Sequence, residues 1–441
     1  MEKFLAFTLW GLCLVILYKI WRDYTQKKSE LISIRSLFLV GSLIFLPSSA
    51  ALTLYNGDSG IFLIREPVRS GLIFTIWIII FYAVFEVTYW KLPLSPWVAS
   101  LIPKPQKTIS DVVLCVVTFV FLFSSGVLRL IPLGEFSNQI LIPLSSACKI
   151  TAACIAAWVL VGRWRNPIFL VFGVFVFGSI ALDFAFGSFS RRPILSVGLA
   201  LIWVAYYRVL RLQSPRFVAV KVLPLCAIAL VGLFFVTGAR DARFRGQDAE
   251  ARRANVEFVS NVQEGFTKVI GGQGTGAAGM WAIEQWPEVE ETRPLMSLRY
   301  FSLFPVPRSI WKGKPIELAL LVPFYVNHPN AGGGLNMPPG IVGYAAAEGG
   351  LIAMVVYAIW FGIMLRLYDQ YIVTNVLSVV AIVPFGIALG HIVGLPRGGL
   401  ALFAFLYIQE TVFVFVTLFL VMKFFGSTPL AENQAPPTPA R

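Results

Sequence analysis

Long apolar runs separated by polar connections dominate the chain. They recur near residues 4–20, 34–54, 71–90, 108–131, 139–162, 166–187, 193–208, 217–237, 341–365, 371–394 and 399–424, eleven in all. An α-helix rises 1.5 Å per residue, so about 20 such residues cross the hydrocarbon of a bilayer. The pattern predicts an all-α, polytopic membrane helix bundle of about eleven transmembrane helices with one large extracytoplasmic loop. Residues 1–237 hold the first eight helices, 238–340 the long connection, 341–425 the last three helices, and 426–441 a Pro-rich polar tail with too little apolar surface to fold. The first run lacks a small-residue cleavage site and ends in YKIWRDYTQKK, so it reads as a retained helix rather than a signal peptide.

Composition agrees with the pattern. Hydrophobic residues make up 57% of the 441 positions and charged ones 13%, against about 25% charged in a soluble domain. All five cysteines fall inside apolar runs and none sits in a CxxC pair, so neither a disulfide framework nor a metal or redox motif is expected. A net charge of +13 would point to nucleic acid in a soluble protein, but here its distribution follows topology. Fourteen Lys and Arg fall in the odd-numbered short connections and six in the even-numbered ones. Cytoplasmic loops are enriched in these residues, which places the N-terminus outside, the C-terminus in the cytoplasm and residues 238–340 on the external face.

That long connection carries the candidate chemistry. Phe258, Val262, Phe266 and Val269 stand at helical spacing within 240–269 and predict an amphipathic helix resting on the membrane or the bundle. Gly274, Gly276 and Gly279 match GxGxxG, but no strand or βαβ unit precedes them, so a close-approach turn is expected instead of a dinucleotide site. Arg293, Arg299, Arg308, Lys312 and Lys314 follow with no acidic residue between 292 and 316, which predicts an anion site; Arg suits bidentate phosphate binding and Lys adds a point charge. Pro305, Pro307 and Pro315 fix φ and predict a stiff extended loop at FPVPRSIWKGKP, residues 304–315. In the following NHPNAGGGLNMPPGIVGYAAAEGGL, His328 and Glu348 are the groups able to carry a proton near neutrality in a suitable environment.

Over about residues 295–365 the motifs PRSIWKGKP, a Gly-rich stretch, PPGIVGY and EGGL resemble the O-antigen or oligosaccharide repeat-unit polymerases of the Wzy type. Family members commonly carry a Gly-Glu pair where this chain has Gly343-Tyr344, and Glu348 follows one helical turn later. The resemblance implies a bacterial inner-membrane glycosyltransferase. It would transfer a growing glycan from undecaprenyl diphosphate to the free end of the next lipid-linked repeat, on the periplasmic face, without cofactor or metal. Its partners would be the two lipid-linked oligosaccharides, membrane lipids and a chain-length regulator protein. On this expectation Arg308, Arg299 and Arg397, helped by Arg240, Arg243 and Lys314, bind the donor diphosphate, and Glu348 or His328 takes the acceptor proton. An O-antigen ligase and a lipid-linked oligosaccharide flippase are the alternative readings.

Charged residues in or near the apolar runs add a further expectation. Arg129, Asp183, Arg191, Arg192, His391 and Arg397 map to the external face and would line a pocket under the long loop. Lys149 and Glu410, near the middle of the fifth and eleventh runs, are expected to form a buried ion pair.

Overall fold

The structure is a computed structural model. It describes residues 1–92, 94–131, 140–186, 191–218, scattered positions between 220 and 271, and 274–429 apart from 289, 305, 307, 309, 330, 333, 334 and 388. Its main helices are α1 (Glu2–Thr25), α2 (Ile34–Leu43), α3 (Ser49–Asn56), α4 (Pro67–Lys91), α5 (Leu94–Leu101), α6 (Asp111–Leu130), α7 (Ile142–Arg163), α8 (Pro167–Phe186) and α9 (Arg191–Arg208). The second part of the chain adds α10 (Thr275–Gln285), α11 (Met296–Leu303), α12 (Leu318–Tyr325), α13 (Gly340–Glu348), α14 (Leu351–Thr374), α15 (Val379–Ile387), α16 (Leu389–Gly394) and α17 (Leu400–Phe425).

Among the described residues seven helical stretches are long and apolar enough to cross a membrane, and the bent pair α15 with α16 and the turn after it makes up to eight. Helices α2 and α3 form one of the seven, joined by a π-helical turn, Ile44–Ser48, where Pro47 has no N–H to give the ladder. The expected runs at 166–187 and 193–208 appear as shorter apolar helices. Most of the run at 217–237 lies outside the described residues.

Two expected boundaries are corrected. The run at 341–365 is not one helix, because Gly349 and Gly350 take φ of 135° and 64°. A right-handed helix cannot pass through such values, which glycine adopts without steric cost. The short α13 therefore ends at Glu348, and the long helix runs from Leu351 to Thr374, absorbing Arg366, which the loop count had placed in a connection. The second correction concerns the tail, whose first four residues pair as strand β2 (Gly426–Pro429) antiparallel to β1 (Lys107–Ile109).

The chain divides into two compact units. The first comprises Met1–Val98, Phe266–Asp369 and Ile392–Phe405. Its core stacks Phe38, Phe81, Phe85 and Phe361. At one end of α14 a charged cluster is paired internally: Arg35 Nη2 donates to Asp23 Oδ2 at 2.9 Å and Glu86 Oε1 at 2.7 Å. Asp369 accepts from the Ile34 and Arg35 amides at 2.8 and 3.0 Å and from the Tyr89 hydroxyl at 2.7 Å. Arg366 lies over the rings of Tyr89 and Trp90. Buried charge at membrane depth requires this kind of pairing.

Helix α10 is held by close approach. Gly276 donates its N–H to Ser49 Oγ at 2.8 Å, and a methyl at Gly276 would overlap the Ala50 backbone. Gly276 and Gly279 thus serve packing, with Gly279 set against Phe74 and the Pro339 carbonyl, while Gly274 starts the helix at a φ of 77°.

The second unit comprises Ala99–Gly265, Gln370–His391 and Leu406–Arg441. Its most buried helix is α7, whose small residues Ala147, Cys148, Ala152, Ala153, Cys154 and Ala156 are inaccessible and let neighbouring helices approach. Trp203 of α9 donates to the Ile382 carbonyl at 3.0 Å and rests on Gly386.

Candidate active site

Glu348 is the last residue of α13, and the left-handed glycines behind it turn the chain away. Its side chain is only 3% exposed. The Ser297 hydroxyl donates to Oε1 at 2.6 Å, and the Ser297 amide, near the start of α11, donates to Oε2 at 2.8 Å. Tyr357 of α14 also donates its hydroxyl to Oε2. The backbone is braced as well: the Arg293 amide donates to the Ala347 carbonyl at 2.8 Å, and the Leu295 amide to the Glu348 carbonyl at 3.1 Å. Leu295 adopts φ of 46° to start α11 at this point.

Burial pushes the Glu348 carboxyl up to about 7, although the hydrogen bonds from Ser297 and Tyr357 and the charge of Arg293 all pull it down. A carboxyl in this state can accept or release a proton at neutral pH.

Glu348 lines a small cleft, partly open to its surroundings, together with Arg293, Ser297, Tyr300, Glu317 and Tyr344. Glu317 brings a second carboxylate. The Tyr344 hydroxyl donates to Glu317 Oε1 at 3.1 Å and accepts from the Gly399 amide at 2.9 Å. Burial, and then the nearby Glu317 charge, push the Tyr344 phenol well above its ordinary range. Gly398 and Gly399 have φ of 117° and 73°, and a side chain at Gly398 would strike the Tyr344 ring. This tight turn carries half-buried Arg397 two residues before the amide that meets Tyr344.

The cationic loop is organised differently from the sequence expectation. Lys314 is 3% exposed, and its Nζ donates to the Phe304 and Val306 carbonyls at 2.7 and 2.9 Å while lying over the Tyr300 and Phe304 rings. Arg308 is exposed and donates to the Lys314 and Pro315 carbonyls at 2.7 and 3.3 Å. Side chains therefore clasp the loop, and both cations brace backbone carbonyls. Arg299 is exposed on α11. His328 is half-buried in the turn after α12, its amide bonded to the Pro323 carbonyl at 2.9 Å, and it is not among the residues that line the cleft. Arg240, Arg243, Pro305, Pro307 and most of the expected amphipathic helix lie outside the described residues.

The cleft thus joins Glu348 to Arg293, which the sequence showed only as one of five cations, and to Ser297, Glu317 and Tyr344, which it did not single out. Two weak signals pointed to the last two: Glu317 is the first acidic residue after the acid-free run, and Tyr344 closes PPGIVGY.

In the second unit the expected Lys149–Glu410 pair is not formed. Lys149 bonds Asp183 of α8, and Glu410 meets His391 Nε2 at 3.2 Å. Asp183 lies within reach of α7 from the end of α8, and it also takes Arg129 Nη1 at 3.2 Å. The Arg191 and Arg192 side chains lie outside the described residues.

Compared with protein-family models, with curated proteins and with solved structures, the chain matches none.

Proposed function

We propose that the chain is a membrane glycosyltransferase that polymerises lipid-linked oligosaccharide repeats, with the cleft around Glu348 as its reaction site. The observation that carries this reading is the pairing, in one cleft, of a buried carboxyl poised near neutrality with the Arg293 guanidinium. The cleft also falls on the residues that carry the sequence resemblance.

In this reading the acceptor sugar hydroxyl enters the cleft beside Glu348. Its oxygen attacks the anomeric carbon of the donor glycan and its proton passes to the Glu348 carboxylate. The bond between that carbon and the diphosphate oxygen breaks, and the electron pair leaves with the undecaprenyl diphosphate. A base in contact with the hydroxyl contributes about 10²–10⁴-fold. Arg293 supplies positive charge where the leaving group gains negative charge, with Arg397 on the adjoining turn as its partner. Tyr344 and Glu317 fix the opposite wall. Exposed Arg299 and Arg308 attract the anionic substrate, and Lys314 keeps the loop of Arg308 in shape.

Placement on the external face fits the helix geometry. Glu348 lies three residues before the start of α14, and Asp369 of the charged cluster lies 18 residues beyond Leu351. That separation is about 27 Å, close to the thickness of a bilayer core. The cleft and the charged cluster thus lie near opposite ends of α14, and in the proposed orientation the cleft faces the periplasm.

Purified protein in detergent, given defined undecaprenyl-diphosphate-linked repeats, is expected to yield a ladder of lengthened chains. A transporter leaves the repeats unchanged in detergent, and a ligase lengthens nothing without a lipid A core acceptor. Absence of any ladder from correctly folded protein would sink the polymerase reading.

A further inference from the structure

Three helices of the second unit gather a set of charges that the proposed reaction does not use. Arg129 lies in the last turn of α6, Asp183 in the last turn of α8, and Lys149 seven residues into α7. Lys149 therefore lies about 10 Å below the start of its helix. The Arg129 and Asp183 side chains are 37% and 32% exposed, whereas Lys149 is 9% exposed. The first two are partly exposed and the ammonium is buried.

The charges within this set do not cancel. Asp183 gives one oxygen to Arg129 and the other to Lys149, so one carboxylate faces two cations. Arg129 Nε donates to Ser145 Oγ at 3.1 Å, and Ser145 in turn donates to the Ser125 carbonyl at 2.7 Å. These bonds hold the guanidinium in place while leaving one of its terminal nitrogens without a partner among the described residues. The Lys149 ammonium has three hydrogens and, among the described residues, one bonded partner. Charge at membrane depth is costly and marks ligand routes when it is not neutralised internally. A residual positive charge, fixed donors and partial exposure suit a tetrahedral oxyanion. The helices are apolar spans or near-spans, so the anion most available to these side chains is carried by a lipid.

We propose that Arg129, Lys149 and Ser145, with Asp183 as their organiser, form a binding site for a lipid-borne phosphate group. Arg129 Nη2 and the Lys149 ammonium donate to the phosphate oxygens, and Ser145 holds the guanidinium plane. The site involves no residue of the Glu348 cleft, so it stands whether or not that cleft catalyses glycan transfer. Two sources share the chemistry: the phosphate of an isoprenoid carrier and the headgroup of an ordinary anionic phospholipid.

Binding is tested on the full chain in detergent by native mass spectrometry, titrating undecaprenyl phosphate, phosphatidylglycerol or phosphatidylcholine. One saturable phosphate lipid is expected on the wild type. Arg129→Gln and Lys149→Gln should each weaken it about tenfold, as loss of a charge-assisted donor does. Asp183→Asn removes the competing carboxylate and should tighten it severalfold. This opposite sign separates the proposal from a purely internal ion network, in which Asp183→Asn only loosens the fold. Preference for undecaprenyl phosphate identifies the carrier as the source, and equal binding of phosphatidylglycerol identifies the headgroup. If Arg129→Gln does not fold, Asp183→Asn and the shape-changing Arg129→Lys decide. Equal affinity across the wild type and the folded variants overturns the site.

Discussion

At the residue scale, three donors converge on the Glu348 carboxyl, yet its burial outweighs them and lifts it from 4.5 to about 7. Two outcomes follow with fixed signs. Because the folded value exceeds the unfolded one, the stabilisation from the protonated form is complete below about 4.5 and is lost as pH rises through about 7. Wild-type protein should therefore unfold at a lower temperature at pH 8 than at pH 5, by an amount corresponding to about 3 kcal/mol, whereas Glu348→Gln should flatten that slope. As a base the carboxyl must be ionised, so the elongation rate should rise with pH through about 7. Tyr357→Phe removes a bond that favours the charged form, and it should move this rise to higher pH without abolishing activity; an unmoved profile would show that Tyr357 does not tune the base. Sequence reading reached Glu348 because an acid next to a glycine pair, in a polar-poor stretch, stands out. It could not reach Ser297, 51 residues away in sequence, because only the fold brings the two together. Lys314 misled for the same reason: its charge is visible in the sequence, but the carbonyls that bind it are not.

Elements were legible where apolar length alone determines them. Helices α1, α4, α6, α7 and α17 stand close to their expected runs because nothing inside those runs competes with the helix. The pattern failed at Gly349 and Gly350, where apolar neighbours on both sides hid a break that backbone conformation imposes. That break decides the site, since a continuous helix would carry Glu348 along its side rather than present it at a terminus. Close packing of α10 gives a test at this scale. Gly276→Ala should force the helix away from Ala50 and lower stability by about 1–3 kcal/mol, read as a depressed melting temperature in detergent. The clasped loop gives another. Lys314→Met leaves the Phe304 and Val306 carbonyls without their donor, so hydrogen exchange at 304–316 should rise locally while the membrane helices keep their protection. Unchanged exchange there would mean that Arg308 alone holds the loop.

For the whole molecule, membrane character was plain from hydropathy, whereas orientation rests on loop charges that the structure partly reassigns. Arg35 is buried in an ion cluster and Arg366 lies within α14, so neither is a free loop cation. The proposed orientation has a direct check: a cysteine replacing exposed Lys312 should react with a membrane-impermeant maleimide added to the periplasmic side, and one replacing Lys28 should not. The reverse pattern would put the cleft on the cytoplasmic face and contradict the proposed periplasmic reaction. The most direct measurement of the central claim compares wild-type and Glu348→Gln protein, matched for folding and lipid content, elongating defined undecaprenyl-diphosphate-linked repeats in detergent across pH 5 to 9. The predicted result is a ladder that grows faster through about pH 7 with the wild type and is slowed about 10²–10⁴-fold, with its pH rise lost, in the variant. A variant that builds the ladder at the wild-type rate and with the same pH profile would contradict the account.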